Sequence, residues 1–252
     1  GLQSDARRGG VVVTGGGGRR RAYPCIGAAW TRLEQFLGVA LRPELTEYDA
    51  CCAYVEEEFA RYGPEDFYSR STGYLYDLTH FHFMAHKDPF FDLVARLTST
   101  QGLHDFGDIG CGVGLDAQAL MADGNDVTAY DIPSPSLDYA RWRLAADTGS
   151  GDVVRPLDAL GDRRHDLVYA VDVLEHVPDP TALVPRLFEA GRFVAVNLFP
   201  HDPEPWDGRD MHYPLDHTRL LPELARHGEL VELAVAGETV CALWRGREEA
   251  RS

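Results

Sequence analysis

The stretch Asp105-Phe106-Gly107-Asp108-Ile109-Gly110-Cys111-Gly112-Val113-Gly114 decides the reading of this chain. A short β-prone run enters a glycine-rich turn, and a helical pattern over Leu115 to Ala122 follows. Glycine carries no Cβ, so such a turn bends sharply and lets backbone lie against a ligand. In an open parallel sheet that turn sits at the carboxyl ends of the strands, where ligands bind. The spacing discriminates between ligands. A dinucleotide fingerprint needs a third glycine where Leu115 stands, whereas here the pattern is G-x-G-x-G. Asp108 adds a negative charge beside the loop, which suits an ammonium or sulfonium and opposes a diphosphate.

Downstream, short β-rich runs alternate with helical stretches, the signature of βαβ units. Strands are predicted over Asp105 to Ile109, Asp126 to Asp131, Val153 to Leu157, Asp166 to Val171, Arg192 to Leu198, Leu230 to Ala236 and Val240 to Arg245. Helices are predicted near Leu115 to Ala122, Pro135 to Ala146, Thr181 to Ala190 and Asp216 to His227. Ser134 and Pro135 form a helix start. Only Gly237 to Thr239 separate the last two strands, so they read as a hairpin with one antiparallel edge strand. Upstream, Ala28 to Thr98 is mostly helical: Trp30, Leu33, Phe36 and Leu37 recur at helical spacing, as do Tyr48, Cys51, Cys52, Val55 and Phe59. Glu56 to Glu58 read as a solvated patch. The expected division is a flexible tail over 1–22, a helical cap or lid over 23–100, a sheet domain over 101–246 and a short tail over 247–252.

Four successive strands end in an acid: Asp108, Asp131, Asp158 and Asp172. A carboxylate on the second strand tip can accept both hydroxyls of a ribose. With the motifs Asp108-Ile109-Gly110-Cys111-Gly112-Val113-Gly114 and Asp172-Val173-Leu174-Glu175-His176-Val177, residues 101–246 resemble the class I S-adenosylmethionine-dependent methyltransferases of small-molecule type. The resemblance implies an α/β fold, a doubly wound, mostly parallel seven-stranded sheet with an antiparallel last strand, preceded by the helical cap. It also implies S-adenosylmethionine as cofactor. Gly110, Cys111, Gly112 and Gly114 would pack under its methionine part and Asp108 would hold its ammonium. Asp131 with Ile132 would bind the ribose, Asp158 with Ala159 the adenine, and Asp172 with Val173 the methionine end.

Transfer of a methyl group from a sulfonium is an in-line displacement, so the protein chiefly aligns the partners and excludes water. An alcohol or phenol also needs its proton removed. His176, just past the fourth strand, and His201, after the fifth, are the candidate bases. Tyr74, Tyr76, His80, His82 and His86 from the cap, with His201, Trp206, His212 and Tyr213 from the loop after the fifth strand, are the candidate acceptor-binding residues. His80, His82 and His86 lack the motif of a metal site, and no metal is expected. The activity expected is O- or N-methylation of a small metabolite. The rivals are a non-catalytic or cyclising member of the same fold and, more remotely, an NAD-dependent oxidoreductase. The last would need a Tyr-x-x-x-Lys pair, and Lys87, ahead of the sheet, is the only lysine.

The composition agrees with this reading. The 252 residues carry 24 basic and 40 acidic side chains, a formal net charge of −16, which disfavours a nucleic-acid partner. No apolar run reaches membrane-spanning length. Five cysteines without C-x-x-C spacing are neither a disulfide framework nor a zinc site, and point to a cytoplasmic protein. The expected partners are a small-molecule acceptor and, at most, a second copy in a homodimer.

Overall fold

The computed structural model describes residues 25–84, 87–198, 211–236 and 239–247. Seven strands form one sheet: β1 (Asp105–Ile109), β2 (Asp126–Asp131), β3 (Val154–Pro156), β4 (His165–Ala170), β5 (Gly191–Leu198), β6 (Gly228–Ala236) and β7 (Thr239–Gly246). Their order is β3-β2-β1-β4-β5-β7-β6. β1 to β5 pair in parallel, and β7 runs antiparallel to both β5 and β6. The reversed last strand is as expected, but it is not at the edge. The run Cys241, Ala242, Leu243, Trp244 is buried on both faces and takes the interior place. β6, which leaves Leu230 and Val231 exposed, takes the edge.

Helices cover both faces. α4 (Asp88–Gln101), α5 (Leu115–Ala122) and α6 (Pro135–Thr148) pack with Phe106, Leu167, Tyr169 and Phe193. α7 (Pro180–Ala190) and α8 (His217–His227) pack with Val168, Ala170, Val194 and Val196 on the other face. The alternation within β4 sends neighbouring side chains to opposite layers. The sequence boundary at residue 100 counted α4 with the cap. Its side chains Phe90, Leu93, Val94 and Leu97 instead join the sheet's own core.

The preceding helices, α1 (Ile26–Leu37), α2 (Tyr48–Arg70) and α3 (Gly73–His82), share a third cluster with Val113, Leu115 and Tyr139 of the sheet region. α2 is kinked where Gly63 adopts φ 74 ahead of Pro64. Glu58 corrects the reading of a solvated patch. It is 3% exposed and accepts bonds from Ser71 Oγ (2.6 Å), the Gly73 amide (3.1 Å) and Tyr54 Oη (3.2 Å), tying α2 to the start of α3. Glu56 and Glu57 are exposed, as expected.

The turn between β1 and α5 is strung along the tip of β2. Gly110 and Cys111 amides both donate to the Tyr130 carbonyl, at 2.8 and 3.1 Å. Gly110 has φ 69, and a Cβ there would lie 2.5 Å from Val173 Cγ2. Two penalties therefore oppose any larger residue, left-handed backbone and overlap. Gly110→Ala is expected to lower stability by roughly 1–3 kcal/mol in urea unfolding. Adding Val173→Ala should restore only the overlap part, because the backbone term remains.

Candidate active site

α5 follows the glycine turn and is buried around nearly its whole circumference, between the sheet core and the cap. An acid on such a helix must find partners or lose its charge. Asp116 finds two: His82 Nδ1 at 2.6 Å from Oδ1, and Lys87 Nζ at 2.7 Å from Oδ2. Those contacts fasten the end of α3 and the start of α4 to α5. Lys87 Nζ also lies 3.5 Å from Asp172 Oδ2.

α3 thereby lies over the glycine turn. Tyr74, Asp77, Leu78, Phe81 and His82, at helical spacing, face a cleft whose floor is Asp108, Gly110, Cys111, Gly112, Val113 and Asp116. Leu78 is close enough to Gly112 that a Cβ there would stand 2.9 Å from Leu78 Cδ1. The far wall comes from Val171, Asp172 and His176 after β4, with Met211 and His212. About 610 Å³ of unfilled space, open solvent included, lies between these walls.

Asp172 has φ 58, a left-handed backbone that a non-glycine residue adopts at a cost. Asn197, 1% exposed on β5, holds it there: its Oδ1 accepts from the Asp172 amide at 2.8 Å and its Nδ2 donates to Asp172 Oδ1 at 2.7 Å. Asp131 is likewise used by the loop. Its Oδ2 accepts from the Gly112 amide and its Oδ1 from the Ile132 amide, both at 2.7 Å. Arg143 holds the turn's far end, donating from Nη2 to the Val113 carbonyl at 2.6 Å and from Nη1 to Gln118 Oε1 at 2.8 Å.

The expected site residues divide sharply. Tyr74, His82, Asp108, Gly110, Cys111, Gly112, Asp172, His176 and His212 meet at this cleft. Asp131, Ile132, Asp158, Ala159, Val173 and Tyr213 lie outside its lining; Asp158 is exposed, and Val173 packs its methyls on Gly110. Gly114 faces away. Its φ is 68 and its nearest neighbours are Ala140, Leu144 and Arg143, so its part is close packing of α5 against α6. Tyr76 and His80 are corrections as well: both are buried within the cap. Tyr76 Oη accepts from the Arg42 amide, and His80 Nε2 lies 3.1 Å from the Leu45 carbonyl with its ring edge-on to Trp30. His86, His201 and Trp206 lie outside the described residues. His176 is fixed between elements, its Nδ1 2.9 Å from Tyr68 Oη and 3.3 Å from the Met211 carbonyl.

Sequence reasoning did not single out Lys87, Asp116, Asp77, Glu175 or Asn197 as site residues. The lone lysine ahead of Pro89 and the acid one residue inside a helix with no polar face were the available signals. Asp77 gave none.

The cleft is rich in acids, and Asp77, Asp108, Asp116 and Glu175 in and around it are buried. Burial holds Asp108 well above the usual carboxylate range, with Asp116 adding to the effect and Lys87 opposing it. Asp108 Oδ2 and the Tyr169 hydroxyl, which acts on that acid, are both buried without a formed hydrogen bond among the described residues. Burial raises Asp77 to about 7 and Asp131 to about 6, the latter against the bonds from the Gly112 and Ile132 amides. Glu175, 2% exposed, is raised to about 8 by burial and by Asp172. Among the described residues no three His, Cys, Asp or Glu side chains are grouped so as to hold a metal ion, and no helix is long and apolar enough to cross a membrane.

The sheet order, with its reversed β7, and the glycine turn over an acidic cleft define the class I S-adenosylmethionine-dependent methyltransferase fold. Residues 107–190 match the family described as "Methyltransferase domain". Two similar proteins are the ubiquinone biosynthesis O-methyltransferases of Nitrosomonas europaea, 30% identical over 104 residues, and Psychrobacter arcticus, 35% identical over 89 residues. The first alignment covers 38% of this chain and 44% of the relative; the second covers 32% and 34%. The chain thus spans less than half the length of these relatives. Among solved structures, magnesium protoporphyrin IX methyltransferase from Synechocystis PCC 6803 with bound SAH superposes with a TM-score of 0.53 at 15% identity, covering 79% of this chain and 98% of that one. The PH0226 protein from Pyrococcus horikoshii OT3 gives 0.52 at 13% identity, covering 75% and 99%. Both share the fold.

The raised carboxyls make stability pH-dependent in a definite direction. Between about pH 4 and 8 the folded chain keeps protons on Asp77, Asp131 and Glu175 that the unfolded chain has released. Their contribution is therefore present at low pH and is lost as pH rises through those values. The cofactor-free chain is expected to be less stable at pH 8 than at pH 5 in denaturant titrations. Glu175→Gln should flatten the upper part of that slope by on the order of 2 kcal/mol.

Proposed function

We propose that the chain is an S-adenosylmethionine-dependent methyltransferase acting on a small organic acceptor. The observation that carries the reading is Asp108 Oδ2, a carboxylate oxygen sealed beside the glycine turn with no formed hydrogen bond among the described residues. A buried acid in that state is costly, and a cationic ligand relieves the cost. The chemistry of the donor set fits: acids of β1 and of the β4 tip face one lysine across the cleft.

Asp108 and Asp172 would hold the ammonium of the cofactor's methionine part, with the turn Gly110 to Gly112 beneath it. Asp131 holds the turn through the Gly112 amide and, at the tip of β2, would bind the ribose. The cofactor supplies a methyl group already activated on sulfonium sulfur. What remains for the chain is alignment and the exclusion of water. α3, locked down through His82 and Lys87, roofs the cleft and does both. A cleft roofed by α3 suits a small acceptor rather than a polymer. The names of the similar O-methyltransferases favour an oxygen nucleophile. His176 lines the cleft beside Asp172, its ring fixed by bonds to Tyr68 and Met211. A cytoplasmic location accords with the five free cysteines of the sequence.

Calorimetry with S-adenosylmethionine and S-adenosylhomocysteine tests the reading, and saturable binding of both is the expected result. Asp108→Asn should weaken both by about 10- to 100-fold, since it removes a charge-assisted bond, without loss of folded protein. Asp131→Ala should weaken them to a similar degree and also loosen the turn, visible as faster amide exchange at Gly112. Absence of binding by the wild-type chain refutes the assignment.

A further inference from the structure

We propose that Asp77, a residue of the cap, receives the hydroxyl proton of a phenolic acceptor during methyl transfer. The inference rests on the methyltransferase reading and extends it to a substrate class and a base.

Asp77 sits in the middle of the α3 face that roofs the cleft, one turn from Tyr74 and one turn from Phe81, and it lines the same cavity as Asp172 and His176. It is 3% exposed. No hydrogen bond or ion pair to it occurs among the described residues, in contrast to Glu58, bonded by Ser71 and Gly73, and Asp116, paired with His82 and Lys87. Burial alone raises it, to about 7. A carboxylate that the fold buries and leaves unbonded on the wall of the cleft is placed for a ligand's donor.

The surroundings say which donor. Behind Asp77 on α2 stand Tyr48, Cys51 and Cys52, all held protonated near neutrality because burial raises them. Tyr74, on the same helix, is raised well above its ordinary value as well. Across the cleft the carboxylates of Asp108, Asp116 and Asp172 face Lys87, His82, His176 and His212. Tyr74, Leu78, Phe81 and Met211 supply apolar and aromatic walls around the acid. Such walls accept a ring, and the excess of acids opposes an anionic acceptor. The base strength matches as well: a carboxyl near 7 works at neutral pH and stands about 3 units below a phenol of ordinary pKa near 10.

The step balances without a further reagent. The phenolic O–H gives its proton to the Asp77 carboxylate as the oxygen bonds to the methyl carbon. The carbon–sulfur bond breaks with its electron pair on sulfur, leaving an aryl methyl ether and a neutral thioether. Asp77 then returns its proton to water.

The test uses the full chain, S-adenosylmethionine and two neutral probe acceptors, catechol and phenol, over about pH 5 to 9, with S-adenosylhomocysteine affinity measured in parallel. Asp77→Asn is expected to keep that affinity within about threefold while turnover falls by about 100- to 10,000-fold. Wild-type kcat/KM should rise through about pH 7, and that limb should be absent from Asp77→Asn. Catechol titrated into the S-adenosylhomocysteine complex should bind about tenfold more weakly to Asp77→Asn, a readout independent of turnover. The proposal is overturned if the limb persists in Asp77→Asn, if affinity for S-adenosylhomocysteine and turnover fall together, or if a wild-type chain that binds S-adenosylhomocysteine methylates neither probe. Failure of the wild type to bind S-adenosylhomocysteine removes the underlying methyltransferase reading instead.

Discussion

A carboxylate on a helix with almost no exposed surface is the constraint on which the site depends. Asp116 stands one residue into α5, with the sheet core on one side and the cap on the other. Left alone there its charge would cost several kcal/mol. His82 and Lys87 offset that cost, and in doing so they fix where α3 ends and where α4 begins. The roof of the cleft is thus a consequence of satisfying one buried acid.

The cleft stores unfavourable terms that the rest of the fold supports. Asp172 sits in left-handed backbone, clamped by Asn197 from the neighbouring strand. Asp108 keeps an unbonded oxygen, and Glu175 and Asp77 hold protons well above the usual carboxylate range. Strain and unmet hydrogen bonds gathered at one place are what a ligand site looks like before its ligand arrives. The two apolar clusters on either face of the sheet provide the stability that tolerates them.

Much of the fold was legible because its signals are local. The β1 stretch, the helix start at Ser134 and Pro135, and the seven strands depend on residues a few positions apart, and Ser134 Oγ does accept the Leu137 amide at 3.1 Å. Hairpin proximity left open which of the last two strands lies beside β5. The near-continuous burial of β7 decided that. The histidine-rich cap segment misled for a similar reason. His80 and His82 are two residues apart, yet helical geometry turns one toward Leu45 and Trp30 and the other toward Asp116.

By itself the sequence determined the alternation of strands and helices, the glycine turn after β1 and the acids at successive strand tips, because each is written in neighbouring residues and short periods. Only the tertiary structure decided that Lys87 and His82 converge on Asp116, that Asn197 clamps Asp172 and that Asp77 opens into the same cleft. Those pairings span 25 to 34 residues of chain in the contacts named. They arise from the burial of charge during packing, which no local pattern encodes.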